Sequence, residues 1–186
     1  MARVVVFNMQ SIDGCFSSLN GDMSWAHAED DEWQDFTRNN ARGGGLLLFG
    51  RVTYDMMAAW WPSLAALDAF PVVAERMNGL PKVVFSRTMD RAEWSNTTLV
   101  KTDPAAEVRR LKKGSRDMAV MGSGTIVSLL AEEGLVDEFQ IVVIPLILGG
   151  GKSMFERVQA KHPLRLVGTR SFQNGNVLLR YEPAGG

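Results

Sequence analysis

Eight short runs rich in Val, Ile and Leu constrain the fold of this chain more than any other feature. They read RVVVFNM, LLLFG, KVVFS, TTLVK, DMAVM, DEFQIVVIPLIL, LRLVGTRSF and NVLLRYE. Several are apolar at consecutive rather than alternate positions. A strand that is apolar on both faces has to be covered on both, the condition of a parallel sheet held between helices. Helical patterns fill most of the gaps, over 31–40, 53–60, 72–78, 104–113 and 125–133. This βαβα order predicts an α/β fold with an eight-stranded, mostly parallel sheet. The last two runs are joined across QNGN, and Asn174 and Gly175 both tolerate positive φ, so an antiparallel C-terminal hairpin is expected. No linker, repeat or low-complexity tract interrupts residues 1–186, which read as one domain.

The longest run holds Pro145, which cannot donate to a ladder, so a bulge or an edge is expected there. Gly149, Gly150 and Gly151 follow and precede Lys-Ser, a combination that suggests a phosphate-binding P-loop. That motif needs a glycine at position 146, which is Leu, and a full helix afterwards, which MFERVQAKHP does not offer. The triple glycine therefore reads as a tight turn close to neighbouring backbone, either structural or lining a site.

Bulk properties exclude several functions. Twenty basic and 21 acidic residues leave a net charge of −1 with no basic stripe, so no nucleic-acid partner is expected. The single cysteine, Cys15, permits no intrachain disulfide and reads as a small apolar filler. His27 and His162 are too few for a metal cluster, and the pattern of a zinc nucleobase deaminase is missing. GSGTI is no nucleophile elbow, because position 126 is Ile. The apolar core of MARVVVFNMQ is shorter than that of a signal peptide, and IVVIPLIL is too short to span a bilayer. A cytoplasmic protein without a membrane partner is the expectation.

Three strand-to-helix junctions share one chemistry. Gly50, Arg51 and Thr53 follow LLLF, Ser86 and Arg87 follow KVVF, and Gly122, Ser123, Gly124 and Thr125 follow MAVM. Glycine lets a ligand approach the backbone, helix N-termini favour anions, and arginine suits phosphate; Thr53 offers an N-cap hydroxyl. Because open α/β sheets bind ligands beyond their strand ends, the three together suggest a phosphorylated dinucleotide site. A second group lies near the N-terminus. MQSIDGCFSSLNGDMSW is long enough for a lid, and Glu32 stands beside Trp33 and one turn before Phe36. A carboxylate held against aromatic rings is desolvated, its pKa rises, and it can handle a proton near neutral pH. Trp60-Trp61 reads as core or interface packing.

These motifs together resemble the dihydrofolate reductase superfamily, and within it the stand-alone relatives of the reductase domain of the riboflavin-biosynthesis deaminase-reductase. SIDG at 11–14, LLFGRVTYDMM followed by WWP, VVFSR, MGSGTIVSLLAEEGLVDEF and PLILGGGKSMFE carry the resemblance, in order, along nearly the whole chain. It implies a three-layer α/β/α fold and NADPH as hydride donor. Gly50, Arg51 and Thr53 would bind the pyrophosphate and adenosine side, Ser86 and Arg87 the 2′-phosphate and adenine, and Gly122, Ser123, Gly124 and Thr125 the pyrophosphate. It further implies a cis peptide at Gly122-Ser123, catalytic roles for Glu32 and Asp13, substrate contacts at Trp25 and Phe36, and a reductase turn at the triple glycine. The ribose-phosphate motif D-N-P-x-L-T-x-R does not follow Gly50. The expected function is reduction of a C=N bond in a pyrimidine or pterin, with a nucleotide-binding module without turnover as the alternative. A homodimer is expected from the apolar surplus of the long strand and from Trp60-Trp61.

Overall fold

A computed structural model describes residues 1–26, 30–41 and 45–185, with only the backbone of residue 41. His27, and Glu29 of the acidic run, lie outside these residues. All eight runs form strands: β1 (Val4–Ser11), β2 (Leu46–Gly50), β3 (Lys82–Phe85), β4 (Thr97–Val100), β5 (Met118–Met121), β6 (Glu138–Ile144), β7 (Leu164–Ser171) and β8 (Val177–Pro183). They build one sheet in the order β4-β3-β2-β5-β1-β6-β8-β7. The first six pair in parallel, whereas β8 pairs antiparallel with both β6 and β7.

Helices α1 (Asp31–Ala41), α2 (Arg51–Trp60), α3 (Leu64–Ala69), α4 (Pro71–Gly79), α5 (Pro104–Lys112) and α6 (Gly124–Glu132) cover the sheet. In the inner strands, β2 and β3 above all, consecutive residues point to opposite faces and are buried on both, as the uninterrupted apolar runs require, while the edge strands β4 and β7 stay partly or largely exposed. Leu48, Val6 and Val120 pack under α5 and α6 with Val108, Val127 and Leu130. Leu47, Phe49 and Val84 face the other way, against Tyr54, Met77 and Trp94. On that second face α1 sets Trp33 against Val142, Ile144 and Leu178. The three layers are therefore helix, sheet, helix. No helix among the described residues is long and apolar enough to cross a membrane.

Three local expectations change. α3 appears where no helix was read, because Ser63 caps it, its hydroxyl accepting the Ala66 amide at 3.2 Å. β3 reaches β4 through an irregular link rather than a helix. β6 ends at Ile144, so Pro145 lies beyond the last rung on both sides and breaks no ladder; the sheet's bulge sits in β7, between Leu166 and Gly168. The C-terminal hairpin forms, but only Gly175 takes positive φ, at +85°, and its amide closes the turn on the Phe172 carbonyl at 3.0 Å.

Candidate active site

β2 and β5 lie side by side, yet the chain leaves their carboxyl ends in opposite directions. From β2 it runs through α2 on one face and outward to β3; from β5 it runs through α6 on the other face and across β1 to β6. Such a switch opens a crevice above the strand ends, where open α/β sheets take their ligands. Gly50, Arg51, Thr53, Gly122, Ser123, Gly124 and Thr125 all stand at this crevice.

Buried hydroxyls and one amide frame it. The Gly50 amide donates to Ser123 Oγ at 2.7 Å, while the Ser123 amide and hydroxyl both donate to Thr53 Oγ1, at 3.2 and 2.9 Å. From β1, Asn8 brackets Gly122: its Oδ1 accepts the Gly122 amide at 2.6 Å and its Nδ2 donates to the Gly122 carbonyl at 3.2 Å. Three neighbouring strand ends are thus fixed to one another. Thr53 is not the N-cap that the sequence suggests. α2 begins at Arg51 behind Gly50, so Thr53 lies in its first turn and its hydroxyl turns inward to Ser123. Gly122 has φ +61°, and a Cβ there would stand 2.7 Å from Thr53 Cγ2, which leaves room for glycine alone. No cis peptide occurs among the described residues, Gly122-Ser123 included; the left-handed Gly122 makes the turn instead.

Helix ends differ around the molecule. Asp30 caps α1 through the Trp33 amide at 2.8 Å, Ser63 caps α3, Asp103 caps α5, and α4 opens on Pro71, which has no N–H to satisfy. No side chain caps α2 or α6, the two helices that open on the crevice. In α6 the Ile126 amide already donates to the Ser123 carbonyl at 2.8 Å, whereas the amides of Gly124 and Thr125 before it, like those that open α2, have no intrahelical carbonyl and can meet an anion. Arg51, half exposed at this edge, pairs with Asp55 at 3.2 Å. The Ser86 hydroxyl accepts the amides of Thr88 and Met89 at 3.2 and 3.1 Å, shaping the turn that leaves Arg87 exposed.

The other predicted residues lie to one side of this frame. Trp25, in a short 3₁₀ turn (Ser24–Ala26), and Phe36 share one apolar cluster with Phe7, Met9, Trp33 and Phe172. Glu32 departs from expectation. Its carboxylate accepts the Gln173 amide at 2.9 Å and the Arg170 guanidinium at 3.0 Å, so these partners lower its pKa where contact with aromatic rings was expected to raise it. Trp33 takes the buried face of α1, and Glu32, half-buried at its edge, meets a cation from β7. Arg170 in turn covers Phe172 at 4.6 Å and Phe36 at 5.7 Å.

Asp13 holds the triple-glycine turn. The Leu148 and Gly149 amides donate to its two carboxylate oxygens at 3.0 and 2.9 Å. The Ser11 hydroxyl and those amides hold its carboxyl at about 2. Gly151 lies so close that a Cβ would overlap the Ser17 carbonyl and crowd the buried Cys15, so the turn does press against neighbouring backbone. Asp13 and Glu32 share no partner, and both have structural work. Sequence reasoning missed Asn8, Asp30 and Arg170. The first two carry a signal, a polar residue inside an apolar run and an Asp just before a helix; Arg170 carries none.

Residues 2–178 match the family model described as the RibD C-terminal domain. The Bacillus subtilis (strain 168) protein YyaP, itself uncharacterized, is 27% identical over 181 residues, which cover 96% of this chain and 94% of YyaP. In structure the chain is similar to a Shewanella sp. PV-4 protein provisionally named for riboflavin biosynthesis, with TM-score 0.76, 21% identity and full coverage of both chains. It is also similar to Enterococcus faecalis dihydrofolate reductase complexed with NADP(H) and RAB-propyl, with TM-score 0.67, 14% identity and coverage of 98% and 97%. The layers, strand order and C-terminal hairpin are those of a dihydrofolate reductase-like fold, and the chain belongs to the RibD C-terminal domain family.

Proposed function

We propose that this chain is an NADPH-dependent oxidoreductase that reduces a C=N bond in a flat pyrimidine- or pterin-type heterocycle. The observation that carries this reading is the uncapped pair of helix N-termini, α2 and α6, meeting at the switch-point crevice while side chains or Pro71 finish the others. The opening amides of both helices would hold the pyrophosphate, while Gly50 and Gly124 let the helix ends pack closely on Ser123 and Ile126 and on Phe16 and Met154. Arg51 and Arg87 would serve the adenosine side and its 2′-phosphate. The hydroxyls of Thr53 and Ser123 are spent on each other, so their part is to hold the two helix ends in place. When bound, the nicotinamide supplies a hydride. Trp25 and Phe36 would offer the heterocycle an apolar wall, and Glu32, ionised near neutral pH, would accept a hydrogen bond from a ring N–H. Asp13 would position the 147–149 segment through the turn it holds.

The family and the Shewanella neighbour favour a riboflavin-pathway pyrimidine, whereas the Enterococcus neighbour favours a pterin. Titration with NADPH and NADH, followed by quenching of tryptophan fluorescence, tests the cofactor; loss of nicotinamide absorbance with either substrate class then tests turnover. NADPH-selective binding with turnover is expected. Binding of neither nucleotide would overturn the reading. One observation favours a second reading, an NADP(H)-binding module without turnover: both candidate catalytic acids already have structural partners. Tight NADPH binding with no oxidation on either substrate class would support it.

A further inference from the structure

Arg170 meets the Glu32 carboxylate at 3.0 Å, yet no motif in the sequence announces it. Three features fix where it stands. Its cross-strand neighbour on β8 is Leu178, which packs in one cluster with Trp33, so Arg170 rises on the face that α1 covers. Its guanidinium carbon lies 4.6 Å from the centre of the buried Phe172 ring and 5.7 Å from that of Phe36, so the flat group is laid against aromatic surface. The Arg170 side chain is 47% exposed and that of Glu32 30%, which keeps the pair within reach of a ligand.

Charge decides what such a group is for. Positions 30–35 hold four carboxylates, Asp30, Asp31, Glu32 and Asp35. Asp35 pairs with Arg38 at 3.0 Å, and Asp30 accepts from the Trp33 amide and from Asn174. Asp31, exposed, sets a like charge beside Glu32. From the hairpin side Glu32 meets Arg170 of β7 and the uncharged Gln173. Neighbouring carboxylates favour protonation of one another, and a bonded cation opposes them. Four acids would also repel an anionic part of a substrate, which argues against a role for Arg170 as an anion receptor. We propose instead that Arg170 is a positioning residue, which keeps Glu32 ionised and turned to the substrate and so sets how far into acid the reductase works. This rests on the reductase reading above. The Gln173 amide takes one oxygen of Glu32 and Arg170 the other, and each oxygen keeps a second lone pair for a ring N–H. Both partners hold the Glu32 pKa low, the amide first and then Arg170.

Arg170→Met keeps an apolar stem over the two rings and removes the charge, whereas Arg170→Lys keeps the charge. Two readouts test the pair: the pH profile of kcat/KM with NADPH and an accepted heterocycle, and titration of the Glu32 carboxyl by carbon NMR in the free protein. Turnover of the parent should fall as Glu32 takes up a proton. In Arg170→Met that fall should begin at higher pH, leaving turnover on the order of 3-fold below the parent at about pH 5 and equal to it at about pH 8. The carboxyl should titrate at higher pH as well, and Arg170→Lys should restore both. Arg165→Met removes an exposed arginine from the far end of β7, where it pairs with Glu182, and should change neither. A Glu32 carboxyl that titrates in Arg170→Met as it does in the parent overturns the proposal. So does a turnover lowered equally at every pH, the mark of a merely structural contact. A parent that reduces no heterocycle removes the reductase reading and the role in turnover with it, and is told apart because the carboxyl titration of Arg170→Met would still be shifted.

Discussion

The two sides of the candidate site are built from different materials. On the crevice side, Asn8, Gly50, Thr53, Gly122 and Ser123 are small groups, largely buried, held by backbone and hydroxyl hydrogen bonds between adjacent strand ends. On the side of α1 and the β7–β8 hairpin, carboxylates that keep access to water reach across elements: Glu32 to Arg170, Asp30 to Asn174 at 2.6 Å, Asp13 to the amides past β6. A buried polar group costs its full desolvation when its partner is lost, whereas an exposed ion pair returns to water at little cost. The first side should therefore be rigid and intolerant, the second adjustable in substrate and pH.

The largest effect should come from Gly122→Ala, which combines a left-handed φ with a Cβ 2.7 Å from Thr53. About 3 kcal/mol of stability should be lost, together with most NADPH affinity. Gly149→Ala sharpens the comparison, since its φ of +78° is similar but its Cβ would meet nothing within 4 Å. Its cost should stop at about 1 kcal/mol, and thermal melts of the two variants suffice to check it. Equal losses would remove the distinction between the two sides.

Thr53→Val comes next. It leaves the buried Ser123 amide and hydroxyl without their acceptor, at about 2 kcal/mol, and should weaken NADPH binding although Thr53 need not touch the nucleotide. Unaltered melting and affinity would show that the hydroxyl pair does not hold the helix ends.

Acid should act chiefly on the second side. Asp13 has a folded pKa of about 2 against an ordinary 3.8. Its contribution is fully present above the unfolded value and is lost as pH falls through the folded one, so the loss runs from about pH 4 down to about 2. Glu32, also held low, acts in the same direction. Asp13→Asn should flatten the pH dependence of stability in that window; a profile identical to the parent's would contradict the clamp.

Glu32→Gln should change melting least, because both its partners are solvent-accessible, and should leave NADPH affinity intact while lowering turnover of any accepted heterocycle. Parent-like turnover would remove Glu32 from the substrate side.

Legibility in the sequence follows the same division. The central strands could be read because burial on both faces writes uninterrupted apolar runs, and the junctions after β2 and β5 could be read because glycine marks the strand end where a helix opens; Ser86-Arg87 after β3 opens no helix. α3 was missed although Pro62-Ser63 announces a helix start, and Asp30 was missed as the cap of α1. The direction of the Glu32 pKa could not be read. It depends on Arg170, 138 residues away in sequence, and on a hairpin that brings the Gln173 amide to the same carboxylate.

By itself the sequence determined the layers, the strand content and the location of the crevice, since periodicity and glycine placement act over a few residues. Tertiary structure alone decided what each polar group does there. It turned Thr53 and Ser123 toward each other, gave Asp13 to the glycine turn and gave Glu32 to Arg170. The reason is physical: a hydroxyl or carboxylate bonds to whichever donor or acceptor the folded sheet brings within about 3 Å, and strand order and crossovers fix that partner.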